Sequence, residues 1–167
     1  KVTFEVYPGE TFGLAGESGC GKTSLGKAVA RLIEAHSGEV FYSANNLYSP
    51  PAADKPLAAK PSIVNRQPFE VDLLRLNEET LRPFRRDIQV VFQDPYASLN
   101  PRMAIGEAIT EPMKIHGIHE NDRIRMEKAI DLLEVVCLKS DHFRRFPHEF
   151  SGGQRQRICL ARALAVT

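Results

Sequence analysis

Residues 2–6 alternate apolar and polar side chains, Val2, Phe4 and Val6 against Thr3 and Glu5, the two-residue period of a half-buried strand. Pro8-Gly9 predicts a turn, and "TFGLAG" at 11–16 reads as a short buried strand ending on glycine. From Lys22 the period changes. Leu25, Val29 and Leu32 or Ile33 share one helical face until Ser37-Gly38 breaks the helix, and "EVFY" at 39–42 predicts the next strand. Strand, glycine loop, helix and strand in this order open an α/β unit.

Residues 44–68 differ in kind, holding five of the eleven prolines among alanines and few large apolar groups. Missing donors and little to bury predict a surface insertion. "NEETLRPFRR" at 77–86 begins as a helix capped by Asn77 that Pro83 should cut short, and "DIQVVFQ" at 87–93 predicts a strand. Helices are predicted near 103–115 and near 121–138, the latter with Ile130, Leu133 and Val136 or Cys137 in register. A last helix follows Ser151, with Ile158, Ala161, Leu164 and Ala165 on its apolar face.

Composition narrows this only to a globular α/β chain. Of 167 residues, 43% are hydrophobic and 26% charged, which is ordinary. The net charge of +1 and the lack of a basic stripe interleaved with aromatics argue against a nucleic-acid partner. No apolar run approaches the ~20 residues of a membrane span, and no signal-peptide pattern opens the chain. Cys20, Cys137 and Cys159 are scattered and odd in number, so neither a disulfide framework nor a Cys-x-x-Cys metal site is indicated, and a reducing cytosol is the expected compartment.

"GESGCGKT" at 16–23 carries the first chemistry, Gly followed by four residues and Gly-Lys-Thr, between a strand and a helix. Glycines let the backbone of Gly16, Glu17, Ser18, Gly19, Cys20 and Gly21 turn its N–H groups inward around a phosphate chain. The helix start adds the positive end of its dipole. Lys22 would meet the β- and γ-phosphates, Thr23 would ligate Mg²⁺, and Ser24 would reach the α-phosphate. The bland alternative is a glycine-rich turn that happens to precede Lys-Thr. Cys20 reads as a small residue tolerated within the loop, with no chemistry of its own.

Ser151, Gly152, Gly153 and Gln154 form a second, lysine-free anion site: a good N-cap, then glycines that leave first-turn amides exposed. Taken alone, "SGG" is weak, since Ser-Gly pairs cap many helices. Paired with the upstream loop it becomes specific.

With both motifs in view, the chain resembles the ATP-binding subunits of ABC transporters. "GESGCGKTS" matches their Walker A loop and "FSGGQRQR" their signature, with Phe150 in place of the usual leucine. "VVFQDPYASLNPRM" at 90–103 resembles the Q-loop of oligopeptide and dipeptide importers, and "RRDIQVVFQ", "EPMKIHG" and "FPHEFSGGQRQR" are similar to that subfamily too. An apolar run ending in Asp94 also describes a Walker B strand, but Gln93 interrupts it, Pro95 follows at once, and Walker B comes after the signature in this family. The resemblance implies a P-loop NTPase (RecA-like) α/β core with an ABC helical subdomain: a partial nucleotide-binding core over 1–100, including the 44–68 insertion, a helical subdomain over 101–150 and the signature helix over 151–167.

The resemblance further implies cofactors ATP and Mg²⁺ and a head-to-tail second ATP-binding subunit, homo- or heterodimeric, whose ATP would meet Ser151, Gly152, Gly153 and Gln154. Gln93 would reach Mg²⁺ and the attacking water, and 94–103 would lean on a membrane permease subunit from the cytoplasmic side, making the protein peripheral on the inner face of the cell membrane. The family's Walker B aspartate, catalytic glutamate and switch histidine follow the signature helix. None of His36, His116, His119, His142 or His148 matches the last of these, and Tyr7 lies too near the loop to be the adenine-stacking aromatic. The fold is therefore expected to be incomplete at both ends, with a neighbour missing beside the 11–16 strand and no ATP turnover by this chain alone. The parent protein is expected to drive import of peptides or related small solutes; the alternative is a non-transport ABC ATPase acting on nucleic acid or the ribosome.

Overall fold

The computed structural model describes residues 2–44 and 69–166. Apart from Ala44, the proline-rich stretch lies outside the described residues. The described residues fall into two compact units, one of 2–44 and 69–75, the other of 76–166.

In the first unit, Pro8-Gly9 turns as its sequence predicts. Gly9 takes φ 77°, and the Glu10 amide donates to the Tyr7 carbonyl at 3.0 Å. The turn stacks the rings of Phe4 and Phe12 with centroids 4.9 Å apart. The strands predicted at 2–6 and 11–16 are not formed: these stretches run without ladder pairing, and Val2, Phe4, Val6, Phe12 and Leu14 are exposed. A two-residue period fixes which side chains share a face, but a strand exists only when another strand takes up its backbone groups.

Helix α1, Lys22–Val29, begins where the loop ends but stops sooner than its periodicity predicts. Arg31 adopts a left-handed φ of 55°, and the amides of Arg31 and Leu32 donate back to the carbonyls of Ala28 and Lys27 at 3.0 and 2.8 Å. This closing turn satisfies the last carbonyls without the glycine that usually marks it, so Leu32 and Ile33 fall outside the helix. Strand β1, Phe41–Ala44, is displaced slightly from the predicted 39–42 and pairs antiparallel with β2, Phe69–Asp72, setting Phe41 opposite Asp72 and Tyr42 opposite Val71.

Asp72 ties the end of this ribbon together. Its Oδ1 accepts from the amides of Val40 at 3.1 Å and Leu74 at 3.0 Å, and its Oδ2 meets Arg75 Nε at 3.0 Å. Arg75 also reaches Glu39 at 3.1 Å. Burial pushes the Asp72 carboxyl up, but the two amides and the guanidinium together hold it below the ordinary carboxylate value.

The second unit contains a helical core. Asn77 caps α2, Glu78–Leu81, by accepting from the Thr80 amide at 2.9 Å, and Pro83 starts a separate turn, α3, Phe84–Asp87. The strand predicted at 87–93 is not formed: Asp87 closes α3, and 88–92 run without ladder pairing. The predicted helices near 103–115 and 121–138 are α4, Ile105–Ile115, and α5, Asp122–Val135. Cys137 stands at φ 59° beyond α5, where the Leu138 amide donates to the Leu133 carbonyl at 2.8 Å, so it ends that helix rather than extending its face. Helix α6, Gly152–Leu164, packs against α4 and α5 around Ile105, Ile109, Met113, Leu133 and Ile158, all essentially solvent-free. Ala161 and Ala165 are buried as predicted, with Cys159 and Val166 beside them; Leu164 instead is 42% exposed.

Candidate functional site

The glycine loop is curled, not extended. The Glu17 carbonyl accepts from the Cys20 amide at 3.4 Å, and Gly19 and Gly21 take φ 83° and 96°, a region that L side chains enter only with strain. Gly21 caps α1, and its carbonyl accepts from Leu25 at 2.8 Å. Lys22 folds inward: its Nζ donates to the carbonyls of Gly16 and Glu17 at 2.7 and 2.5 Å and lies 3.6 Å from Cys20 Sγ. A Cβ at Gly16 would stand 2.8 Å from that sulfur. The loop and the starting turn of α1 thus surround one ammonium, while Thr23 and Ser24 remain exposed on the helix start with first-turn amides that no helical carbonyl takes up.

The second motif is a different kind of helix end. Ser151 caps α6 reciprocally: Gln154 Oε1 accepts from the Ser151 amide at 3.0 Å, and Ser151 Oγ accepts from the Gln154 amide at 3.4 Å. Nothing lies within 4 Å of a Cβ built at Gly152 or Gly153, and neither needs a positive φ. The fold itself therefore makes no demand for glycine at these two positions. Phe150, standing before the cap, is buried, its ring edge-on to His142 with centroids 5.1 Å apart.

Gln93 is exposed at a bend in the second unit. Asp94 beside it is occupied as a turn residue, Oδ1 accepting from the Tyr96 amide at 2.9 Å and its carbonyl from Ser98 Oγ at 2.8 Å. Residues 16–24 belong to the first unit, and Gln93 with 151–154 to the second.

Motif reading gave no individual role to four residues of this region: Tyr96, Ser98 and Arg155, which lie inside the quoted motifs, and Arg162, which lies outside them. Arg155 is buried, donating from Nε to the Pro147 carbonyl at 2.7 Å with its guanidinium 4.0 Å over the Tyr96 ring. Arg162 Nη1 donates to the Ser98 carbonyl at 2.6 Å. The recurrence of arginine on one face of α6 is the only sequence signal for them, and it reads equally well as a solvated stripe.

A family profile described as "ABC transporter" matches residues 1–167. This chain belongs to the ABC transporter family. Its fold class is accordingly that of the P-loop NTPases, as the glycine loop indicates. Among similar members of the family, the oligopeptide transport ATP-binding protein OppF of Bacillus subtilis is 43% identical over 165 residues, covering 99% of this chain and 46% of its own length. The glutathione import ATP-binding proteins GsiA of Salmonella paratyphi A and Pectobacterium atrosepticum are 44% and 41% identical over 99% of this chain and 22% of their own lengths. This ABC transporter chain thus spans less than half the length of these relatives. No helix among its described residues is long and apolar enough to cross a membrane.

Proposed function

We propose that this chain is the ATP-binding part of an importer motor, with residues 16–24 holding ATP·Mg²⁺ in cis and residues 151–154 closing on ATP held by a second ATP-binding subunit. One observation carries the reading. Two glycine-bearing helix starts differ in what they lack: one wraps a lysine in its own carbonyls, and the other bears glycines that its own packing does not require. Glycine without an internal reason leaves room for another molecule's backbone or phosphate to approach.

On this reading Lys22 exchanges the carbonyls of Gly16 and Glu17 for phosphate oxygens, and Thr23 and Gln93 are the groups that would hold Mg²⁺. Bound Mg²⁺ would neutralise charge on the β- and γ-phosphates. Residues 1–100, 101–150 and 151–167 serve as nucleotide core, helical subdomain and signature helix, and 94–103 face a membrane permease on the cytoplasmic side. ATP hydrolysis would be the work of the assembled parent transporter. The relatives named for oligopeptide transport and glutathione import support a peptide-class solute.

Titration of the chain with MgATP tests the cis site: Lys22→Ala should weaken binding about tenfold to a hundredfold, the worth of charged hydrogen bonds. Unchanged affinity would sink the assignment. Co-purification of the parent protein with membrane permeases supports import, whereas co-purification with nucleic acid or ribosomes would favour a non-transport ATPase.

A further inference from the structure

Arg155 and Arg162 lie about two turns apart on one face of α6, and both reach the stretch that follows Gln93. Arg155 covers the Tyr96 ring at 4.0 Å, and Arg162 donates to the Ser98 carbonyl at 2.6 Å. That stretch is braced from within, because Asp94 accepts from both the Tyr96 amide and the Ser98 hydroxyl. On its other side Arg155 holds the Pro147 carbonyl, in the short turn Pro147–Glu149 that delivers Phe150 and Ser151 to the start of α6. Tyr96 is 66% exposed, whereas Arg155 is 8% exposed, so the ring forms an outer layer over a buried guanidinium.

We infer that Arg155 and Arg162 are positioning residues that clasp residues 96–98 to the signature helix, so that displacement of the 94–103 face is carried to the amides of Gly152, Gly153 and Gln154. The inference rests on the functions proposed above for those two regions. Its physical basis is contiguity: two arginine contacts from one helix connect the regions directly. Arginine suits the inner position because its planar fork donates in its own plane while presenting a face to the ring, and a lysine ammonium does not do both.

The test is amide exchange across 151–155 in the full chain, with α5 as an internal control. Tyr96 is mostly exposed, so its replacement does not disturb the core. Tyr96→Ala should accelerate exchange at 151–155 by about threefold to tenfold, the worth of a partly desolvated cation–π contact, and leave α5 unchanged. Tyr96→Phe keeps the ring and should restore wild-type exchange. The chain has no tryptophan, so Tyr96→Trp provides a single emitter. Acrylamide quenching of that emitter should rise when Arg155→Met or Arg155→Lys is added. Wild-type exchange at 151–155 in Tyr96→Ala, equal acceleration in α5, or quenching indifferent to Arg155 would each overturn the clasp. ATP affinity at Lys22 should be unaffected by Tyr96→Ala; loss of ATP binding in the unmodified chain would instead sink the proposed function while leaving the exchange result intact.

Discussion

Lys22 turns its ammonium back onto the carbonyl of Gly16, 2.7 Å away, and so occupies the centre of the loop that precedes it. A compact ammonium fits that ring of carbonyls because it donates in three directions from one point. Lys22→Arg keeps the charge but replaces the point by a planar fork. It is expected to lose MgATP affinity nearly as far as Lys22→Ala does, about tenfold or more, in a calorimetric titration.

Gly21 caps α1 from φ 96°, where any side chain is strained. Gly21→Ala should cost about 1–2 kcal/mol locally, since a Cβ is driven toward the following carbonyl. The cost falls on the curled loop, so MgATP affinity should drop by roughly fivefold to thirtyfold while the melting of the helical unit stays unchanged. Gly152→Ala meets no such strain; a loss of trans-ATP contact there, with full stability retained, separates the two helix ends.

Gly106 lies buried in the first turn of α4, and a Cβ built on it would stand 2.4 Å from the ring of Phe143. Gly106→Ala should therefore destabilise the helical unit by about 1–3 kcal/mol through overpacking, measured by urea unfolding. Adding Phe143→Leu should recover part of that loss, because the clash is with the ring edge.

Asp72 holds the strand pair by its charged form, its pKa lying below the ordinary 3.8. A lowered carboxylate contributes stability that is present in full above 3.8 and is lost as the pH falls through the folded value. An NMR titration of the side-chain carboxyl should show the lowered midpoint. Asp72→Asn should weaken the ribbon at neutral pH and remove its acid dependence.

Most of what is settled within a few residues was legible in the chain. The Gly-x4-Gly-Lys-Thr loop, the Ser151 and Asn77 caps, the Pro8-Gly9 turn and the two long helices α4 and α5 rest on local sterics and on the 3.6-residue period, and the structure places them close to where the pattern does. Tertiary structure decided the rest. The alternating stretches 2–6, 11–16 and 87–93 read as strands yet form no strand ladder among the described residues, because a strand is completed by a distant partner that its own sequence does not encode. Early closure of α1 at Arg31 was also hidden, because its local bonds to Ala28 and Lys27 form without the glycine that usually marks such a turn. The arginine contacts to Tyr96 and Ser98 depend on groups that meet only after the chain has packed, where geometry and burial, rather than residue type, choose the partner.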